Sequence, residues 1–97
     1  MKNIEDILKI IKENKEDIFQ KYNLREIGVF GSYVRNEQKK NSDLDILVDF
    51  EKSPDFFKFL EFEEHLSEIT GLKVDLVTKK SLKPYIGYYI LKEVLYL

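Results

Sequence analysis

Residues 31–50 read GSYVRNEQKKNSDLDILVDF. Ten residues separate Ser32 from the pair Asp43-Leu44-Asp45. The run Asp43 to Val48 is rich in branched apolar residues and is predicted to be a strand. Side chains two apart on a strand share a face. Asp43 and Asp45 therefore project together, their backbones about 6–7 Å apart from the rise per residue. Leu44, Ile46 and Val48 then point into a core. Two neighbouring carboxylates repel, and one tends to hold its proton. A divalent cation relieves that repulsion, and hard cations such as Mg²⁺ take oxygen ligands.

Gly31-Ser32 follows a second strand-like run, Arg25 to Phe30. Glycine lets a backbone approach a phosphate closely. Ser32 adds a hydroxyl and is placed to cap a short helix starting near Tyr33. Amides at a helix start attract anions. A third acid, Asp75, sits inside the apolar run Lys73-Val74-Asp75-Leu76-Val77. Acids are depleted in strands, so a charge there needs a reason. If that strand lies beside the Asp43–Asp45 strand, three carboxylates can hold two ions, about 3.5–4 Å apart in two-metal sites.

Taken singly, each feature is commonplace. A Gly-Ser is ordinarily a turn, an Asp-x-Asp ordinarily a solvated strand end, and Asp75 an ordinary surface acid. It is the joint pattern that points to metal-dependent nucleotide chemistry.

The stretch 31–50, the later KVDLVT and the closing LKPYIGYYILKEVLYL resemble the minimal nucleotidyltransferases of the DNA polymerase β superfamily. The resemblance spans nearly the whole chain. It implies that Gly31 and Ser32 hold the triphosphate, that Asp43 and Asp45 bind Mg²⁺ and are catalytic, and that Asp75 is the third carboxylate of a two-ion site. It implies a palm-like α/β fold with a small mixed sheet. Proteins of this kind are often antitoxins that transfer AMP from ATP to a tyrosine of a HEPN-domain ribonuclease toxin. One departure is visible: the family commonly has Arg-Gly-Glu where this chain has Arg35-Asn36-Glu37. Asn is the mildest replacement for a glycine of positive φ. Two other functions stay open: nucleotidyl transfer to a small molecule such as an aminoglycoside, and an antitoxin that acts by binding alone.

At 97 residues the chain is expected to form one domain, 1–97, with a small core. A net charge of −2 argues against a nucleic-acid binder driven by charge and against a template-dependent polymerase. No cysteine is present, so neither disulfides nor thiol chemistry are expected. The N-terminus lacks the apolar centre of a signal peptide, no run is long enough for a bilayer span, and the cytoplasm is the expected setting. Homo-oligomerisation is left open. The Lys, Glu and Ile bias fits either a thermophile or an AT-rich genome.

Apolar residues at helical spacing predict one helix from an Asn3 cap to about Tyr22-Asn23. A strand at about 25–30, the Gly-Ser turn with its short helix, a polar loop at 36–42 and the acidic strand follow. Ser53-Pro54 reads as the start of a helix that runs to about Thr70, with Gly71 as its C-terminal cap. A strand at about 73–78 precedes a last helix, from Ser81 to about Tyr96. The order is αβαβαβα, with the first two strands antiparallel because their link is short. Arg35 could meet a phosphate or a carboxylate. Lys39 and Lys40 are expected in solvent, Asp49 at a strand end, and His65 in no direct role. The Phe-rich helix (Phe56, Phe57, Phe59, Phe62) and Tyr85, Tyr88, Tyr89 and Tyr96 carry apolar groups on more than one face. Part of that surface is a candidate partner interface.

Overall fold

A computed structural model describes residues 2–97. The elements run α1 (Ile4–Glu13), α2 (Lys15–Tyr22), β1 (Leu24–Phe30), β2 (Leu44–Phe50), α3 (Phe56–Thr70), β3 (Val74–Thr78), α4 (Pro84–Glu93) and β4 (Leu95–Tyr96). The strands form one mixed sheet in the order β3-β2-β1-β4. β1 is antiparallel to β2 and to β4, while β2 and β3 are parallel. The expected mixed α/β sheet with flanking helices is thus the observed architecture.

Period-two patterning builds the sheet's buried face. Leu44, Ile46, Val48 and Phe50 of β2 join Ile27 and Val29 of β1 and Val74 and Leu76 of β3. Ile7, Ile11 and Ile18 from the first two helices and Phe62 and Leu66 from α3 cover them. Tyr22 stacks on Phe62 at 4.2 Å between ring centroids. Asp45 and Asp75 alternate with these core residues, so they emerge on the sheet's other face.

Several local expectations are corrected. The first helix is two: Asn14 interrupts it at φ −102°, ψ 1° and its side-chain amide donates to the Ile10 carbonyl. Asn3 does cap α1, in a reciprocal capping box with Asp6. The segment after Gly31 is a single closed turn rather than a helix started by Ser32. Asn36 takes φ +58°, its N–H bonds to the Tyr33 carbonyl, and the Glu37 N–H reaches back to the Ser32 carbonyl. That pattern terminates a helix after one turn. Asp55 rather than Ser53 caps α3, accepting from the Lys58 N–H at 2.8 Å. Gly71, at φ +71°, does close it.

The last helix ends at Glu93, and Leu95–Tyr96 pair with β1 as an extra strand. The glycine at 28 makes this approach feasible. A Cβ there would meet Val94 Cγ2 at 2.6 Å and the Leu95 carbonyl oxygen at 3.0 Å. Residues 79–81, where Ser81 was expected to open the helix, form a separate 3₁₀ turn, and α4 begins with Pro84. Proline suits that position because its missing N–H would be unbonded in any case.

Candidate active site

Strand register assembles the acids. Asp45 lies opposite Asp75 in the parallel β2–β3 pair and opposite Phe30 in the antiparallel β1–β2 pair. Neighbouring strands run about 4.8 Å apart. One row across the sheet therefore carries the start of the Gly-Ser turn, Asp45 and Asp75, and Asp43 stands two residues before Asp45 on the same side. Among the described residues, none of these three carboxylates has a hydrogen bond or ion pair to a side chain or backbone donor. The Asp45 carboxyl is pushed up to about 6, chiefly by partial burial and then by the charges of Asp75 and Asp43.

Oxygen donors that repel one another and lack protein partners fit a hard divalent cation. In the side-chain positions described, no three His, Cys, Asp or Glu groups converge closely enough to hold an ion. The sheet brings the three backbones together, while Asp75 extends into solvent. Ligation would require the carboxylates to turn inward.

Gly31 joins this row to the turn. Its φ of +86° is a left-handed value, and a Cβ there would collide with the Asp45 carboxylate. Glycine is required twice over, by backbone conformation and by contact. The Ser32 hydroxyl has no partner among the described residues. The Gly31 N–H is taken: it donates to Glu93 Oε2 at 2.8 Å. Arg35 meets carboxylates, as one of its two expected roles allowed. Its Nε bonds Glu37 at 2.8 Å, and one terminal nitrogen bonds both oxygens of Glu93 at 2.8 and 3.0 Å. These partners raise the Arg35 guanidinium above its ordinary value, Glu37 first.

Glu93 was not singled out from the sequence. It lies 62 residues from Gly31 at the end of a helix, and no local pattern marks it. Lys39 and Lys40 are exposed, as expected. His65 is structural: its Nδ1 lies 3.0 Å from the Tyr22 hydroxyl. Asp49 sits near the far end of β2, 3.4 Å from Arg25.

A groove of about 520 Å³ opens beside the acids, lined by Gly31, Arg35, Asp45, Tyr85, Tyr89 and Glu93 among others. One wall is polar and charged, the other aromatic. Its dimensions suit a small ligand with a charged end. No helix among the described residues is long and apolar enough to cross a membrane.

The sequence profile of the nucleotidyltransferase domain matches residues 4–97. The protein adenylyltransferase MntA of Thermococcus cleftensis is 51% identical over 96 residues, covering 99% of this chain and 97% of its own. A structure provisionally described as a minimal nucleotidyltransferase superposes with a TM-score of 0.81 at 28% identity, covering 99% of this chain and 97% of that one. A chain from a toxin–antitoxin complex containing MntA superposes with a TM-score of 0.67 at 25% identity, covering all of this chain and 72% of that one. With the acids in one row beside a glycine turn, and with these likenesses spanning its length, this chain belongs to the nucleotidyltransferase domain family, in its minimal nucleotidyltransferase branch.

Proposed function

We propose that this protein is a Mg²⁺-dependent protein adenylyltransferase, which transfers AMP from ATP to a tyrosine of a HEPN-domain toxin and so acts as its antitoxin. The observation that carries this reading is the register of Asp45 with Asp75, with Asp43 two residues away and the Gly31-Ser32 turn beside them. The protein adenylyltransferase named among its relatives and the toxin–antitoxin complex among the similar structures support a protein acceptor and a toxin partner.

In this reading the Gly31 amide and the Ser32 hydroxyl hold the triphosphate. Asp43, Asp45 and Asp75 would hold Mg²⁺, which when bound neutralises phosphate charge and the charge developing on the leaving group. Asp75, exposed at the rim, is placed to take the acceptor's phenolic proton. The phenolate oxygen forms a bond to the α-phosphorus, the bond from that phosphorus to the bridging oxygen breaks, and pyrophosphate leaves. Catalysis of this kind is mostly positioning and electrostatic stabilisation.

The partner brings its own acceptor hydroxyl. Residues 1–97 act as one nucleotidyltransferase domain, and the cytoplasm is the proposed setting. Exposed aromatic residues of α4, Tyr85, Tyr88 and Tyr89, are the proposed contact face.

Intact mass spectrometry tests the reading. A HEPN-domain protein encoded beside this gene is incubated with this protein, ATP and Mg²⁺. A mass gain in whole AMP units, absent with Asp45→Asn, is expected. A stable complex with no mass gain would leave an antitoxin that works by binding alone.

A further inference from the structure

One of the two donors assigned to the triphosphate, the Gly31 N–H, is already filled by an anion from the chain. Glu93 is the last residue of α4. Its carboxylate accepts from the Gly31 N–H at 2.8 Å and from Arg35 at 2.8 and 3.0 Å. This is how a phosphate oxygen would be held at such a place, by a backbone amide and a guanidinium together. Glu93 is also a fourth negative charge beside Asp43, Asp45 and Asp75.

We propose that Glu93 is an internal phosphate mimic that caps the nucleotide site and must leave before the triphosphate can bind. The proposal rests on the reading above, in which nucleotide phosphates meet Gly31. It adds that the nucleotide-free protein holds this subsite closed and Arg35 occupied. When Glu93 leaves, one Gly31 donor and one Arg35 nitrogen become free for phosphate oxygens, and a negative charge moves away from them.

The surroundings allow that exit. Glu93 reaches the site from the end of a helix whose outer residues Tyr85, Ile86, Tyr88 and Tyr89 are more than half exposed. The Glu93 side chain itself is one-quarter exposed, so a rotation about its own bonds carries the carboxylate to water. β4 begins two residues later and stays paired with Gly28 and Val29. The rest of the sheet need not move.

The competing explanation makes Glu93 a brace that orients Arg35. The two ideas predict opposite signs. A ligand that binds only the open fraction shows an apparent affinity reduced by that fraction, so removing a cap tightens binding. Removing a brace weakens it.

Isothermal titration of wild type, Glu93→Gln and Glu93→Ala with ATP, and separately with inorganic tripolyphosphate, both in Mg²⁺, decides between them. Glu93→Gln keeps the size and the acceptor oxygen but removes the charge. The expected result is roughly 5–10-fold tighter binding of both ligands, a tenfold change being about 1.4 kcal/mol. Circular dichroism melts check that each variant is folded, and Glu93→Gln serves should Glu93→Ala melt early. Wild-type binding with unchanged or weaker binding by Glu93→Gln overturns the cap and leaves the nucleotide reading standing. Absence of binding by all three proteins overturns the nucleotide reading, and the cap falls with it.

Discussion

Asp45 and Asp75 stand directly opposite each other on parallel strands, and among the described residues neither carboxylate forms an ion pair. Partial burial first, and then the charges of Asp75 and Asp43, push the Asp45 carboxyl up to about 6, against about 3.9 for a free aspartate. The folded protein then binds more protons than the unfolded chain between those values, so this group's contribution to stability falls as pH rises from about 4 to about 6. In a chelator, Asp45→Asn should gain stability relative to wild type across that window. The gain is on the order of 1 kcal/mol after allowing for solvent screening of a partly exposed group. Thermal melts of both proteins from pH 4 to 8 measure it, and a flat difference would contradict the arrangement. Added Mg²⁺ should raise the wild-type melting temperature at pH 8 more than that of Asp45→Asn.

Asp43→Asn and Asp45→Asn should each abolish AMP transfer while leaving the far-ultraviolet spectrum and partner binding intact. Neither residue belongs to the core cluster. Transfer at the wild-type rate by either variant would remove that residue from the metal site.

Gly31→Ala should lose both stability and transfer. The left-handed φ costs about 1 kcal/mol or more for a residue with a side chain, and the new methyl meets the Asp45 carboxylate. Denaturant unfolding should show a loss of about 1–3 kcal/mol. Combining it with Asp45→Ala should recover part of that loss, because the collision partner is gone while the backbone strain remains.

Asn36 is the second sensitive turn position, at φ +58°. Asn36→Gly should match or slightly exceed wild-type stability. Asn36→Val should lose about 1–2 kcal/mol, since a β-branched residue is a genuine outlier in this conformation. Chemical denaturation separates the two, and equal stabilities would show that the turn is not held there.

Tyr88→Glu should weaken the partner complex at least tenfold while changing stability by less than about 0.5 kcal/mol. Tyr88 is 58% exposed on α4. Surface changes rarely matter to folding, whereas aromatic anchors often dominate an interface. Unfolding of the variant would place Tyr88 in the core.

Much of the architecture was legible from spacing alone. The alternation of Leu44, Ile46 and Val48 with Asp43, Asp45 and Asp49 sets which side of the strand is buried, because side chains in a strand repeat every two residues. Asn3 and Gly71 mark element boundaries through local backbone chemistry, and the structure agrees with each. Two of the local misreadings share one cause: the side chains of Asn14 and Asp55 satisfy backbone groups in competition with their neighbours, and a sequence pattern does not show which residue wins. Asn14 thereby broke a helix that the apolar periodicity of Ile7, Ile11 and Ile18 had made look continuous.

The candidate site residues Gly31, Ser32, Asp43, Asp45 and Asp75 could be chosen from the chain because each combines an unusual residue type with a strand or turn whose geometry is local. That Asp75 falls level with Asp45, rather than one residue off and on the opposite face, depends on the pairing of strands joined through the whole of α3. Glu93 could not be found at all, since its bond to Gly31 spans 62 residues and its side chain obeys no period. Local patterns set what each segment can be, because dihedral preferences and side-chain periodicity act over a few residues. Which segments meet, and which acid occupies the glycine amide, follows from packing of the assembled sheet and helices, where distance along the chain no longer counts.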